Sequence, residues 1–225
     1  MDMEFVRTES RKKVEKLLVE RLGAELAANK RVLWLLSGGS NIPISVAVME
    51  QLPEEETKNL AVCMMDERYG EVGHLNSNAQ QLMDAGFKAK NAVFIHTLMP
   101  GFSLEETKER FEAATQRAFE HAHVIVAQIG IGSDGHIAGI LPNSPAATDE
   151  GWVCAYDTPT YKRVTLTFVA LRQVSVAIAA AFGDEKKDAL TRLRDEDLPL
   201  TEQPAQLLKE LKEAYVCNDQ IGGNT

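Results

Sequence analysis

The sequence predicts an α/β protein: a mostly parallel β-sheet with helices on both faces. Three observations carry this. Apolar runs of strand length alternate with amphipathic stretches at helical spacing. Three of those runs end directly in polar or glycine-rich segments. No internal repeat, low-complexity tract or long Gly/Ser/Pro linker divides the chain, so residues 1–225 are expected to form a single α/β domain.

The first helix is predicted over Thr8 to Asn29, where Val14, Leu17, Leu18, Leu22 and Leu26 share one face. The apolar run Val32 to Leu36 has a strand's length and breaks at Ser37-Gly38-Gly39-Ser40-Asn41. A helix is predicted from Pro43 to Leu52, with proline placed early, where its missing N–H costs nothing. A second strand, Leu60 to Met65, runs into Asp66-Glu67-Arg68, and a third covers Ala92 to Ile95. Ser103 and Glu106 have the spacing of a capping box, which starts a helix reaching His121. The fourth strand, His123 to Ile129, enters Gly130-Ile131-Gly132-Ser133-Asp134-Gly135-His136. Residues 142–162 are rich in Pro, Ser and Thr and read as a long loop over one face of the sheet. Two more strands are expected at Arg163 to Phe168 and Val174 to Phe182, then helices at Glu185 to Arg194 and Ala205 to Tyr215.

Composition narrows the function. The 225 residues carry 24 Lys plus Arg against 33 Asp plus Glu, a net charge of −9. A nucleic-acid binder needs a basic stripe to displace counterions, so that class is disfavoured. No apolar run approaches the roughly 18 residues of a membrane span. The start, Met1-Asp2-Met3-Glu4, lacks the apolar core of a secretory signal. Cys63, Cys154 and Cys217 are odd in number and far apart, which builds neither a disulfide framework nor a C-x-x-C motif. Buried, reduced thiols in a cytoplasmic protein are the expectation.

In a parallel sheet, strand carboxyl ends share one edge, and ligands of α/β proteins bind there. Ser37 to Asn41, Asp66 to Arg68 and Gly130 to His136 should therefore converge. The glycine turn before a helix N-terminus offers free N–H groups to a phosphate, although a plain strand-to-helix turn would look the same. It is no P-loop, because G-x-x-x-x-G-K-[ST] is absent. Gly130 to Gly135 formally matches G-x-G-x-x-G, with Asp149 and Glu150 downstream. The context rejects a dinucleotide site, since Pro142 and Pro145 interrupt the region where a helix and strand would be needed. His136 can titrate near neutral pH and project from its loop into a cleft, with Asp134 to orient the ring. A loop histidine beside a solvated aspartate is the competing reading. His121-x-His123 has no third ligand at matching spacing, so no metal site is expected.

Taken together, these segments resemble the 6-phosphogluconolactonase family, within the superfamily that includes glucosamine-6-phosphate deaminase. The matching pieces run in family order: Leu36 to Ser40; Asp66-Glu67-Arg68; Ser77-Asn78; Gly130 to Ala138; Arg163 to Thr167; and Gly183 with Lys186. The resemblance implies a Rossmann-like, NagB/RpiA/CoA transferase-like fold and hydrolysis of 6-phospho-D-glucono-1,5-lactone, with neither cofactor nor metal. It implies that Gly38, Gly39 and Ser40 meet the phosphate, that Arg68 and Lys186 add charge with Arg163 nearby, and that Asn78 fixes the sugar or the loops. His136 becomes the general base and Asp134 its supporting carboxylate. The implied partner is a small sugar phosphate lactone, with a monomer or homodimer expected and neither nucleic acid nor membrane involved.

The chain departs from the family pattern in places. Ile137 follows the histidine, as in the deaminases, but Leu141 stands where deaminases carry a glutamate, and Arg68 where they tend to have tyrosine. Amine loss needs that extra acid–base carboxylate, which disfavours the deaminase. The loop Gly70 to Asn76 lacks the common Val-Pro, and the family's C-terminal Trp segment is missing after Leu200. A non-catalytic sugar-phosphate sensor is the rival from another class. The segment before the first expected strand has no room for a DNA-binding helix-turn-helix.

Overall fold

A computed structural model describes residues 2–223. In chain order the elements are β1 (Asp2–Arg7), α1 (Arg11–Ala27), β2 (Val32–Leu36), α2 (Ile42–Gln51), β3 (Leu60–Met64), β4 (Asp66–Arg68), α3 (Asn78–Asp84) and β5 (Val93–Ile95). They continue with α4 (Leu104–His121), β6 (Val124–Gly130), β7 (Val153–Asp157), β8 (Lys162–Leu166), α5 (Phe168–Leu171), β9 (Val176–Ala181), α6 (Lys187–Asp195) and β10 (Glu213–Asn218). Seven strands form one parallel sheet in the order β1-β10-β9-β6-β2-β3-β5, and β4-β8-β7 form a small antiparallel sheet.

The apolar pattern explains the layering. Strand β2 is buried along its whole length, with Trp34 and Leu36 facing one core and Leu33 and Leu35 the other. Val14, Leu18, Leu22 and Leu26 of α1 join Val48 of α2 and Leu82 of α3 on the Trp34 side. The opposite side is covered by Phe111 and Phe119 of α4, Leu190 and Leu193 of α6, and the small sheet through Val153, Val164 and Leu166. Strands buried on both faces read as continuous apolar runs, which is why β2, β3, β6 and β9 were visible in the sequence. The capping box is present: Ser103 Oγ accepts from Glu106 N–H, and the Glu106 carboxylate accepts from Ser103 N–H at 2.8 Å.

Four expectations need correction, and one helix was missed. The chain opens with β1, and α1 starts only at Arg11, where Ser10 caps it. A helix over Ala205 to Tyr215 does not exist; 3-10 turns at Pro204–Lys209 lead into β10, whose buried residues lie between β1 and β9. Pairing on both edges outweighs local helix propensity there. The stretch 142–162 is no uninterrupted loop, because it holds a 3-10 turn at Pro145–Ala147 and β7. The run from Arg163 gives β8, which pairs antiparallel with β4 and β7 outside the main sheet. Finally, α3 went unpredicted: its apolar face is only two turns long.

The chain changes sheets at Met65. Met65 N–H donates to Leu36 O in the main sheet, and Met65 O accepts from Leu166 N–H in the small one. That step swings Asp66 to Arg68 across the end of the main sheet. Among the described residues, no helix is long and apolar enough to cross a membrane. Leu18, wholly buried on the inner face of α1, reports on this packing. Leu18→Ala should cost about 2–5 kcal/mol of stability in urea unfolding.

Candidate active site

Strand order places the cleft. From β2 the chain runs outward through β3 to β5, whereas from β6 it runs the other way through β9 to β10. The two diverging loops leave a crevice at the strand carboxyl ends. Gly130 N–H closes its floor by donating to Ser37 Oγ at 2.9 Å. A cleft of about 270 Å³ opens above, lined by Ser37 to Asn41, Asp66, Arg68, Asn78, Gly130 to Gly132, His136, Ala138, Arg163 and Lys186.

Each expected site residue can now be placed. Gly38, Gly39, Ser40, Arg68, Asn78, His136, Arg163 and Lys186 all line this one cleft. Asp134 does not line it but sits behind His136. Glycine is required at position 38, because a Cβ there would collide with the Asn78 amide. Gly39 adopts φ +61°, and a 3-10 turn over Gly39–Asn41 delivers the chain into α2.

The histidine is oriented by its own loop. Asp134 Oδ1 accepts from the His136 backbone N–H at 3.1 Å and lies 2.6 Å from Nδ1. Partial burial works to raise the Asp134 carboxyl. The hydrogen bonds and charge of His136 together outweigh it and bring the value down to about 2. An ionised carboxylate only accepts, so Nδ1 carries the proton, and whenever the ring is neutral Nε2 keeps its lone pair. Gly132 makes room for this arrangement, since a Cβ on it would strike His136 Nδ1. Behind the loop, Ala205 N–H donates to Gly135 O at 2.9 Å, and buried Gln203 donates to Ala189 O at 2.7 Å.

The cations are held from several elements. Arg68 donates through Nη1 to Asn76 O at 3.0 Å, with its guanidinium 5.4 Å from the centre of the Tyr161 ring. Arg163 pairs with Asp66 at 3.3 Å across the β4–β8 register. Burial pushes the Asp66 carboxyl up, while Arg163, Arg68 and His136 pull it back. Lys186 enters from the start of α6. Glu67 serves the scaffold: its carboxylate accepts from Asn78 N–H at 2.6 Å, Ala79 N–H at 2.9 Å and Ser77 Oγ at 3.0 Å, anchoring the N-terminus of α3 and so Asn78.

Among the polar residues lining the cleft, Ser37, Asn41 and Asp66 were not singled out from the sequence. Asp66 was read only as part of a motif, though its place directly after a strand was a usable signal. Asn41 was read only as the end of a turn. Four buried polar atoms at this cleft have no protein partner: Asn41 Oδ1, Arg68 Nε, Asn78 Oδ1 and Arg163 Nε. Two are donors on cations and two are neutral acceptors. All three cysteines are free and buried, away from the cleft lining. Among the described residues, no group of three or more His, Cys, Asp or Glu could hold a metal ion.

Fold and cleft define a class: a doubly wound α/β protein with a polar, cation-bearing cleft at its topological switch point. The chain belongs to the family of glucosamine-6-phosphate isomerases/6-phosphogluconolactonase, whose model matches residues 7–217. It is 32% identical over 185 residues to a 6-phosphogluconolactonase from Pseudomonas aeruginosa, covering 74% of this chain and 73% of that one. A 6-phosphogluconolactonase structure from Thermotoga maritima superposes with TM-score 0.76 at 22% identity, over 96% of this chain and all of that one. A monomeric glucosamine-6-phosphate deaminase superposes as well, with TM-score 0.77 at 16% identity and 97% coverage of both. At those identities the superpositions establish the fold alone.

The Asp134 carboxyl gives a pH test. Its value in the folded protein lies below the ordinary 3.8, so its stabilising contribution is present above that value and lost as pH falls toward 2. Asp134→Asn should be less stable than the parent at pH 5 to 7. Urea unfolding across pH should show the gap closing between about pH 4 and pH 2.

Proposed function

We propose that the protein hydrolyses 6-phospho-D-glucono-1,5-lactone to 6-phosphogluconate, with His136 as general base. The observation that carries this reading is the sharing of one cleft by His136, backed by Asp134, with the Gly38–Ser40 turn and the cations Arg68, Arg163 and Lys186. The curated relatives of this chain bear the same activity in their names, which supports it.

The lactone carbonyl is already electrophilic, so neither a serine nucleophile nor a metal is needed. His136 Nε2 takes a proton from water as the water oxygen bonds to the carbonyl carbon. The negative charge of Asp134 stabilises the imidazolium that results. When the tetrahedral intermediate collapses, the bond from carbon to ring oxygen breaks and the imidazolium returns its proton to that oxygen. Acid–base help of this kind contributes about 10²–10⁴-fold. The phosphate, held by the glycine turn and the cations, fixes the lactone against the attacking water. A protein of net charge −9 can hold such an anion because its cleft gathers three cations against one lining carboxylate, Asp66, itself tied to Arg163.

His136→Ala should lose at least 10²-fold in kcat while binding 6-phosphogluconate nearly as tightly as the parent. A coupled assay on freshly made lactone, corrected for spontaneous hydrolysis, reads the first, and calorimetry the second. Undiminished turnover would remove His136 from the mechanism. Arg68→Met should raise KM more than it lowers kcat. An unchanged KM would place the phosphate elsewhere.

A further inference from the structure

We infer that Asp219 is a positioning residue for the phosphate grip: its carboxylate holds the turn that carries Lys186 into the cleft. The inference rests on the lactonase reading and deepens it. It concerns a residue beyond position 217, where the match to the family model ends.

Strand register brings the two segments together. Ala181, the last residue of β9, pairs with Asn218, the last of β10. The parallel chains therefore leave the sheet side by side, one toward Gly183 and the other toward Asp219. The Asp219 carboxylate accepts from Gly183 N–H, with Oδ1 at 3.1 Å and Oδ2 at 3.3 Å. Asp219 is held in its turn. Buried Asn218 accepts through Oδ1 from Gln220 N–H at 2.9 Å and Ile221 N–H at 2.7 Å, and Ile221 packs into the core. Gln220 Nε2 then donates to Asp184 Oδ1 at 3.1 Å, a second tie to the segment that carries Lys186.

Gly183 starts that segment. Its φ of +114° lies where residues bearing a side chain are strained. Gly183 O accepts from Lys186 N–H at 3.0 Å, which closes the 3-10 turn over Asp184–Lys186. One residue thus receives the Asp219 bond at its N–H and holds the Lys186 backbone through its O. Lys186 itself lines the cleft. Its one ion-pair partner among the described residues, Glu185, is 4.0 Å away and 63% exposed, and such a solvated pair contributes only about 0–1 kcal/mol. Lysine is a point charge on a flexible stem, so its grip on a phosphate depends on a backbone already in place. Without the Asp219 acceptor, the cost of ordering the turn falls on ligand binding.

The test is a double-mutant cycle between Asp219 and Lys186 in the full chain. Asp219→Ala and Asp219→Leu remove the acceptor, Asp219→Asn keeps it, and thermal melts establish folding. Assays on fresh lactone read KM and kcat, and calorimetry reads the affinity for 6-phosphogluconate. Either variant without the acceptor should raise KM, and weaken 6-phosphogluconate, about 3- to 10-fold with kcat unchanged, whereas Asp219→Asn should stay close to the parent. In a Lys186→Met background the same substitutions should change neither KM nor affinity further. A full effect in that background, no effect in the parent, a fall in kcat at constant KM, or an Asp219→Asn as weak as Asp219→Ala overturns the inference. Loss of folding in both Asp219→Ala and Asp219→Leu overturns it too, because Asp219 is then a stability residue. If the parent turns over the lactone and the cycle shows no coupling, the inference alone fails. If the parent binds 6-phosphogluconate with that coupling but leaves the lactone intact, the lactonase reading alone fails. Neither binding nor turnover by the parent defeats both.

Discussion

The hydrogen bond from Gly130 N–H to Ser37 Oγ ties together the two loops that leave adjacent strands in opposite directions. The rest of the site depends on that junction. On one side the chain must turn through Gly38 and Gly39 into α2; on the other it must turn through Gly132 toward His136. A glycine turn and an imidazole ring are therefore brought together by strand order, before any side chain chooses a partner. The close approaches follow. Position 38 faces Asn78, position 130 faces Asn41 and position 132 faces His136, each at a separation that excludes a Cβ. These three glycines mark where the diverging loops come nearest to side chains of the cleft.

A second layer holds these groups still. Glu67, wholly buried, spends its carboxylate on Ser77, Asn78, Ala79 and Arg68 N–H, so the segment carrying Arg68 and the helix carrying Asn78 move as one. The His136 loop leans on the turn at Pro204–Lys209 through Ala205 N–H, and Gln203 and Gln206 link that turn to α6 and the residues after it. Lys186 begins the same stretch of chain. The C-terminal quarter thus supports the His136 loop from behind while supplying a cation in front. Pre-organisation of this kind lets acid–base and electrostatic groups act without reorganising during reaction.

Much of this was legible, and the part that was not has a physical reason. The buried parallel strands announced themselves because both faces are apolar, and the strand-end polar segments announced the cleft. His136 and the Gly38–Ser40 turn could be placed together because a parallel sheet puts all its carboxyl ends on one edge. Strand β10 was hidden because residues 205–215 carry helix-compatible side chains, and pairing with β1 and β9 decides the state only of Glu213 to Asn218. The small sheet was hidden because β4 is three residues long and its pairing with β8 spans about a hundred residues of sequence. Asn41 was hidden for a different reason. Nothing in a turn's sequence reveals which of its side-chain atoms will be left without a partner; that follows from Ala180 and Gly130, both far along the chain.

The same geometry bears on which chemistry of the family this chain performs. The fold cannot decide it, because a lactonase and a deaminase superpose on it about equally well. The content of the cleft differs from what amine loss requires. Opening a sugar ring, moving a proton between carbons and expelling ammonia call for more than one acid–base group in reach of the reacting carbons. Among the described residues, Asp66 is the one carboxylate lining the cleft, and Arg163 holds it at 3.3 Å. Leu141, where a deaminase glutamate would stand, lies outside the lining and brings no proton. The proposed lactone hydrolysis asks His136 for only one proton taken from water and returned to a ring oxygen, a cycle that a single imidazole can complete. An ester that is already activated asks for little more, and this favours the lactonase reading over amine loss.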